Sequence, residues 1–133
     1  MPFELFVNGT LMRGLKLHAN MGDSIFLSEC RTAPNYRLHS IDDVHPGMYR
    51  LNNSEQGGAA ILGELYRVNE ATWQTIEAGE PPKLYRGTVE LEDGRKVFGI
   101  LYPRALAEGY HPDITSYGGW RAYMDSKDKG NAR

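Results

Sequence analysis

The segment Phe6–Gly14 contains residues that could bind an anion. It reads Phe-Val-Asn-Gly-Thr-Leu-Met-Arg-Gly, an apolar strand that runs into a loop with two glycines. If a helix begins in this loop, the backbone N–H groups of Gly9, Thr10 and Leu11 point outward from its start, where they can bind a carboxylate. A plain strand-to-helix turn, in which Asn8-Gly9 supplies a positive φ, is the alternative interpretation of the same residues.

Glu80 is the candidate for moving a proton. It lies just beyond a predicted helix, between Gly79 and the pair Pro81-Pro82, which stiffens the loop. Burial beside apolar residues raises the pKa of a carboxylate, so that such a group can serve as a general base or acid. A solvated loop glutamate is the alternative, and the local sequence alone favours that alternative.

The histidines and the cysteine give little support to a metal centre. The four histidines, His18, His39, His45 and His111, form no His-x-x-x-His pair that would place two ligands on one helix face. The single cysteine, Cys30, excludes an internal disulfide and a multi-cysteine zinc site, and its strand pattern indicates a core or strand-face residue. His18 follows the glycine loop, so it is the histidine positioned to reach the same pocket.

The C-terminal run Asp113–Tyr123 combines two glycines with a large aromatic residue. Its sequence is Asp-Ile-Thr-Ser-Tyr-Gly-Gly-Trp-Arg-Ala-Tyr, which is typical of a capped turn, a tight bend and a buried tryptophan. Packing is therefore the main interpretation of the run. Tyr117 and Arg121 could still reach a carboxylate, because a guanidinium matches that group bidentately.

Composition places these residues in one ordinary globular domain. The chain has 133 residues, a net charge of -2, 41% hydrophobic residues and 24% charged residues, which is typical of a soluble domain with its own core. The near-neutral charge argues against nucleic-acid binding. No apolar run approaches the roughly 18 residues of a membrane span, and no signal-peptide pattern opens the chain. We expect a cytoplasmic protein with one domain over residues 1–124 and a polar, frayed tail over residues 125–133.

Strand patterns dominate the elements that must position the candidate residues. Short β-rich runs are bounded by turn signals, and Asp93-Gly94 between two such runs predicts a hairpin. Asn69 can cap a helix that runs to about Ala78. The remaining helical patterns cover Leu11–Met21 and Gly119–Met124. The predicted strands are Phe3–Val7, Ile25–Arg31, Tyr36–Ile41, Ala59–Val68, Leu84–Leu91 and Lys96–Tyr102. The sequence therefore predicts an α+β domain with a mixed or barrel-like sheet, whose strand–loop junctions would contain the chemistry.

Taken together, the segments resemble the γ-glutamylcyclotransferase-like (AIG2-like) superfamily. The opening Phe6–Gly14 is similar to its signature of a strand followed by Tyr-Gly-Thr-Leu, with Asn8 where tyrosine is usual. Within the superfamily, the ending Asp113–Tyr123 resembles the C-terminal domain of allophanate hydrolase and its stand-alone relatives. Further similar runs follow in the superfamily's order: Phe26–Leu38, His45–Met48, Ile61–Tyr66 and Phe98–Tyr102.

This resemblance implies a small mixed β-barrel with flanking helices and a pocket at one end. In the cyclotransferases, amides of the Gly-Thr-Leu segment hold the substrate carboxylate. One glutamate then moves a proton while the substrate's own amine attacks the γ-amide carbonyl, which releases 5-oxoproline and an amine. Glu80 matches the glutamate in register, and no metal or cofactor is required. The expected substrate-binding residues are Asn8, Gly9, Thr10, Leu11, Pro46, Gly47, Tyr85 and Arg121.

Departures from the family pattern keep two alternatives open. Asn8 replaces the usual tyrosine, and Tyr85-Arg86-Gly87 replaces the usual Tyr-Arg-Arg. The allophanate hydrolase branch implies decarboxylation of the N-carboxycarbamate left by an amidase, with His18 as the candidate acid/base. The third hypothesis is a non-catalytic module for binding a small carboxylate or for assembly. The expected partners are a small carboxylate or amide molecule and either a second copy of the chain or a separate amidase, with no nucleic acid and no membrane.

Overall fold

The computed structural model describes residues 2–131, without the side chains of residues 128–131. Seven strands and three α-helices form the fold, with 3-10 turns at His18–Met21 and Thr115–Tyr117. The strands are β1 (Phe3–Val7), β2 (Ile25–Arg31), β3 (Tyr36–Ile41), β4 (His45–Arg50), β5 (Leu62–Val68), β6 (Tyr85–Glu90) and β7 (Lys96–Leu101). The helices are α1 (Glu70–Gly79), α2 (Arg104–Tyr110) and α3 (Trp120–Asn131).

Two sheets organise these strands. A five-stranded mixed sheet has the order β2-β5-β1-β7-β6, in which β1 and β7 are parallel and the other pairs are antiparallel. β3 and β4 form a separate two-stranded sheet. Thr32, directly after the edge strand β2, and Leu91, directly after the edge strand β6, pair in an isolated β-bridge. The five-stranded sheet therefore curls strongly, but no continuous ladder closes a barrel within the described residues, and the predicted α+β class is confirmed.

The core lies inside this curled sheet. Its largest fully buried side chains include Phe6 on β1, Tyr36 on β3, Leu65 on β5 and Ile76 on α1. A smaller cluster around Tyr102 packs β3 and β4 against α2. Because β1 lies at the centre of the sheet and contributes to the main core, the loop that follows it begins from a rigid position.

Several predicted elements match the structure. β1, β2 and β3 have the predicted bounds, and Gly94, at φ 91°, forms the turn of the β6–β7 hairpin. The side chain of Asn69 accepts a hydrogen bond from the Thr72 N–H at 2.7 Å, which caps α1 as predicted. The strand predicted over Ala59–Val68 begins only at Leu62, although Ala59 still pairs with Tyr36.

The helix predicted over Leu11–Met21 is wrong. Gly14 has φ 78°, which interrupts any helix, and the segment folds into successive turns that end in a single 3-10 turn. Hydrogen bonds from the Met12 N–H to the Gly9 carbonyl (3.0 Å) and from the Leu17 N–H to the Thr10 carbonyl (2.9 Å) stabilise these turns. No helix dipole therefore acts on this loop, and its individual N–H groups are the available donors.

Two elements were missed by the sequence analysis. β4 contains Pro46 and Gly47, which both have low strand propensity. α2 is short and begins at Arg104, after an N-cap residue, Pro103, that makes no side-chain hydrogen bond, so its start resembles a loop.

The last helix is longer than predicted. α3 continues to Asn131, so residues 125–131 of the expected frayed tail are helical, and residues 132 and 133 lie outside the described range. Contacts with a distant turn explain the difference, since the Tyr123 hydroxyl donates to Asp43 at 2.6 Å and Lys127 pairs with the same carboxylate at 2.8 Å. A polar composition does not reveal such tertiary anchors.

Candidate functional site

A small cavity, with about 20 Å³ of free volume, lies where the loop after β1, the start of β4 and the loop after α1 meet. This volume is enough for about one water molecule, so a larger ligand must extend into the adjoining space. The lining residues are Val7, Asn8, Gly9, Thr10, Leu11, His45, Pro46, Glu80, Leu84 and Ile100. The structure therefore brings the glycine loop and Glu80, which are far apart in sequence, to one cavity.

The glycine loop contributes unpaired N–H groups to the cavity wall. Its carbonyls are engaged, because those of Gly9 and Thr10 accept turn hydrogen bonds and that of Leu11 contacts His18 Nδ1 at 2.8 Å. The N–H groups of the same three residues make no hydrogen bond within the part of the chain that the structure describes. Successive free amides are the arrangement that binds a carboxylate or a developing oxyanion.

Glycine is required at position 9 because of a close approach. A Cβ atom there would lie 2.8 Å from Pro46 Cδ and 2.9 Å from Pro46 Cγ. These distances are shorter than van der Waals contact, so any side chain would push the loop away from β4. The contact thus positions Pro46 and the glycine loop on adjacent walls of the cavity.

Asn8 adds a polar side chain at the end of β1. It is only 5% exposed, and its carboxamide makes no hydrogen bond with any residue of the described range. Buried side-chain amides normally have partners, because desolvation without a hydrogen bond is costly. The side chain is therefore available to a molecule bound in the cavity.

Glu80 follows the last residue of α1. Its backbone N–H donates to the Glu77 carbonyl at 3.3 Å, and Pro81-Pro82 restrict the chain beyond it. Burial raises the pKa of the Glu80 carboxyl to about 7, and no charged neighbour opposes this effect. The group can therefore both accept and release a proton near neutral pH.

Glu80 also lines a neighbouring groove of about 230 Å³. Leu84 and Ile100 line both spaces. The far side of the groove is formed by Trp73, Glu77, Pro81, Pro82, Lys83, Tyr85 and Arg86. A molecule longer than the cavity could therefore extend past the Glu80 carboxyl into this groove.

His45 is the polar cavity residue that the sequence analysis did not assign to the site. It is the first residue of β4, is 6% exposed, and its Nδ1 lies 3.0 Å from the Pro46 carbonyl oxygen. Burial lowers the pKa of the imidazole. The signal in the sequence that could have identified His45 is its position next to Pro46, which the family resemblance implies as a substrate-binding residue.

Two of the expected site residues lie behind the cavity wall rather than in it. His18 Nδ1 contacts the Leu11 carbonyl, and its ring centroid is 6.1 Å from that of Tyr66. Gly47 faces Tyr102, whose Cγ would lie 2.9 Å from a Cβ at this position. Both residues support the walls, because each contacts protein groups that hold a lining segment in place.

Two others are directed elsewhere. Tyr85 is 49% exposed and lines the neighbouring groove. Arg121 donates to the Arg13 carbonyl and lies 3.4 Å from the Glu64 carboxylate, so its guanidinium contacts an internal acid. The carboxylate that sequence analysis expected Arg121 to reach is therefore one of the protein's own.

Glu64 is a buried acid that the sequence did not single out. Its carboxylate is 1% exposed and accepts hydrogen bonds from Arg13 N (2.9 Å), Arg13 Nε (3.0 Å) and the Tyr66 hydroxyl (2.9 Å). Burial raises the pKa of this carboxyl, but the hydrogen bonds and the charge of Arg13 outweigh burial and hold it below its usual range. Glu64 therefore acts as an internal anchor for the glycine loop.

Metal-ligand geometry is absent from the described residues, where no three His, Cys, Asp or Glu side chains cluster. Glu108 and His111 have Glu-x-x-His spacing, but Glu108 accepts hydrogen bonds from Tyr49 (3.0 Å) and Arg104 (3.1 Å). Over the same part of the chain, no helix is both long and apolar enough to cross a membrane.

The curled mixed sheet and the cavity at its end define the class of protein. An AIG2-like protein of mouse has the same fold, with a TM-score of 0.59, 26% identity and 78% of each chain covered. The chain belongs to the allophanate hydrolase C-terminal domain family, whose model matches residues 3–125.

Two relatives illustrate this membership. The solved structure of a uropathogenic E. coli-specific protein is 42% identical in sequence to this chain and superposes with a TM-score of 0.86. The match covers 94% of this chain and 97% of the E. coli chain. The urea amidolyase of Lachancea kluyveri is 29% identical over 129 residues, which is 92% of this chain. The chain spans only about 7% of the length of the curated relatives that it matches. Domains similar to it therefore occur both inside much longer proteins and at its own size.

Proposed function

We propose that this chain is a cofactor-independent enzyme that binds a small carboxylate bearing an amide-type bond and uses Glu80 as its general base and acid. The observation that carries the proposal is the position of the Glu80 carboxyl, which is buried without a hydrogen-bond partner among the described residues in a cavity lined by unpaired N–H groups. This burial raises its pKa to about 7. A carboxylate with an ordinary pKa is a weak base at neutral pH, whereas one near 7 is matched to proton transfer there.

Binding uses the loop between β1 and the first turns. The N–H groups of Gly9, Thr10 and Leu11 hold the substrate carboxylate, and the Asn8 carboxamide and Pro46 complete the wall. Val7, Leu84 and Ile100 provide the apolar part of the cavity, which weakens competing hydration of the bound groups.

The reaction follows the pattern implied by the γ-glutamylcyclotransferase-like resemblance. As the neutral amine of the substrate adds to the γ-amide carbonyl through its lone pair, the ionised Glu80 takes one proton from the attacking nitrogen. The protonated Glu80 next gives that proton to the leaving amine as the amide bond breaks. The products are 5-oxoproline and a free amine, so the glutamate is regenerated and no external reactant is consumed.

Incubation of the purified protein with γ-glutamyl amines tests this proposal. We expect release of 5-oxoproline, and a loss of about 10²–10⁴-fold in kcat for Glu80→Gln, since that range is typical of a removed general acid/base. Glu92→Gln, at the exposed β6–β7 turn, is the matched control and should retain wild-type kcat. An undiminished kcat in Glu80→Gln would remove this residue from the mechanism.

A second candidate function is favoured by the family match over residues 3–125. In this function, the chain decarboxylates the N-carboxycarbamate produced by a separate amidase, as the allophanate hydrolase resemblance implies. The test couples allophanate and such an amidase with and without this chain, and it measures ammonia release. Faster release only with the added chain supports the second function, and equal rates contradict it.

Absence of turnover in both assays would favour the third hypothesis, a binding or assembly module. Size-exclusion chromatography with light scattering then distinguishes a homodimer from a monomer. In that case, the Glu80→Gln variant should have the same mass in solution as the wild type.

A further inference from the structure

We propose that His45 is a hydrogen-bond acceptor for an N–H group of the bound molecule, so that the cavity selects small carboxylates with an amide or amino N–H over equally shaped molecules without one. The inference uses the proposed function only to choose the cavity as the binding site. It assigns a role to the one buried titratable side chain of the cavity that the proposed reaction does not use.

The hydrogen bond made by the first ring nitrogen determines the state of the second. His45 Nδ1 lies 3.0 Å from the Pro46 carbonyl oxygen, which can only accept. Nδ1 must therefore bear the proton, and in the neutral imidazole the lone pair is then on Nε2. Among the described residues, Nε2 of His45 has no hydrogen-bond partner and no ion pair.

The surroundings of the ring favour its neutral form. Burial has the largest effect and lowers the pKa of His45, and the positive charge of a protonated His111 acts in the same direction. Asp42 and the hydrogen bond to Pro46 oppose this effect but do not outweigh it. A buried, neutral imidazole in a cavity wall therefore offers an acceptor to a ligand rather than a positive charge.

The other polar groups of the cavity complement this acceptor. The three free amides of Gly9, Thr10 and Leu11 are donors only, so they match a carboxylate. The Asn8 carboxamide can donate or accept. The Glu80 carboxylate is also an acceptor, which the proposed reaction uses for the attacking amine, and His45 adds a separate acceptor for an N–H elsewhere on the same molecule. A site that hydrogen-bonds an N–H rejects analogues that lack it, because its buried acceptor is then left unpaired.

Two isosteric probes test the selectivity without any turnover. Succinamate and levulinate have the same carboxylate and carbonyl, and they differ by an amide NH₂ in place of a methyl group. Neither has a free amine, so neither can cyclise. Calorimetric titration of the wild-type protein should give a Kd for succinamate at least about tenfold lower than for levulinate. Equal Kd values, or no binding of succinamate, would overturn the inference.

Two substitutions separate ligand binding from support of the wall. In His45→Asn, the side-chain amide can still donate to the Pro46 carbonyl, but nothing replaces Nε2, so the preference for succinamate should be lost. In His45→Gln, an amide oxygen can reach the position of Nε2, so part of the preference should return. Retention of the full preference in His45→Asn would show that His45 only holds Pro46, and would contradict the proposal.

Nitrogen NMR of the wild-type histidines provides a readout that does not depend on a folded variant. We expect the free protein to have His45 in the Nδ1–H tautomer, and succinamate but not levulinate to shift the Nε2 resonance. A proton on Nε2 in the free protein would overturn the inference. Glu92→Gln, at the exposed β6–β7 turn, is the control, and it should leave the preference unchanged.

The outcomes of this experiment are separable from those of the proposed reaction. Release of 5-oxoproline without a preference between the probes would contradict the role of His45 and leave the role of Glu80 intact. A His45-dependent preference without turnover would support the selective site and count against the proposed enzyme.

Discussion

At the residue scale, Glu80 is held in surroundings that oppose its ionisation. Its carboxyl receives no hydrogen bond within residues 2–131, and burial alone raises its pKa to about 7. In the unfolded chain the same carboxyl titrates at about 4.5. Between these values the folded state binds more protons than the unfolded state, so ionisation of Glu80 destabilises the fold as the pH rises.

Glu80→Gln should therefore stabilise the protein at alkaline pH. At pH 8 we expect a gain of about 1–3 kcal/mol in the free energy of unfolding, whereas at pH 4, where Glu80 is protonated in both states, the gain should vanish. Urea unfolding at the two pH values measures the difference. Glu92→Gln is the control, and a gain that is equal at both pH values would contradict the burial of the Glu80 carboxyl.

Gly9 gives a second prediction at this scale. In Gly9→Ala, the new Cβ would lie 2.8 Å from Pro46 Cδ, so the loop must move and its amides lose their alignment. We expect succinamate binding or kcat/KM to fall by about tenfold or more, because small displacements of positioning groups are costly. In Gly109→Ala the added Cβ meets no atom within 4 Å, so this variant should bind like the wild type.

At the scale of elements, the site depends on where each strand or helix ends. β1 lies at the centre of the sheet and ends at the glycine loop, and α1 ends immediately before Glu80. Asn69 caps the start of α1, and Trp73 and Ile76 pack the same helix against the core. The position of the Glu80 backbone is therefore determined by a helix that is fixed at its beginning and along its buried face.

Asn69→Ala should weaken this helix and lower the stability of the protein. Loss of an N-cap typically costs about 1 kcal/mol of stability, whereas Asn69→Asp can still accept from the Thr72 N–H and should cost far less. Thermal unfolding measures the loss. Equal unfolding midpoints for the Ala and Asp variants would show that the cap contributes nothing.

At the scale of the whole molecule, Glu64 connects parts of the chain that are distant in sequence. Arg13 belongs to the segment after β1, Glu64 and Tyr66 lie on β5, and Arg121 lies on α3. All three partners approach one carboxylate that is 1% exposed. Because a buried acid is stable only when it is paired, this contact joins the glycine loop, the central sheet and the last helix.

Glu64→Gln should destabilise the whole fold by about 3 kcal/mol at pH 7, in the range measured for breaking a buried ion pair. The folded-state pKa of Glu64 lies below the unfolded value of 4.5, so its contribution is present above pH 4.5 and is lost as the pH falls through the folded pKa. The difference in the free energy of unfolding between Glu64→Gln and the wild type should therefore be smaller at pH 3 than at pH 7. Urea unfolding at the two pH values measures it. Glu29 is an exposed residue of β2 that pairs with Glu64 of β5. Glu29→Gln should therefore have little effect on the free energy of unfolding at either pH.

The sequence predicted the local features of this protein. Most strands, the Asp93-Gly94 hairpin and the Asn69 cap follow from alternation, turn residues and capping within a few positions. The helix predicted after Thr10 was wrong, and α3 extends beyond the predicted bounds, for a common reason. Both segments make tertiary contacts that local patterns do not reveal, namely the hydrogen bond from Arg13 N to Glu64 and the pairing of α3 with Asp43.

For the candidate site, the sequence by itself identified the glycine loop and Glu80 as candidates, because a glycine loop after a strand and a glutamate before two prolines are local patterns. Only the tertiary structure decided their environment. It buried Glu80 without a partner, left the carboxamide of Asn8 free, and brought His45 into the same cavity. It also directed Arg121 to Glu64 instead of to this cavity. Burial and hydrogen-bond partners come from segments far apart in the chain, and they determine the pKa and the availability of each group.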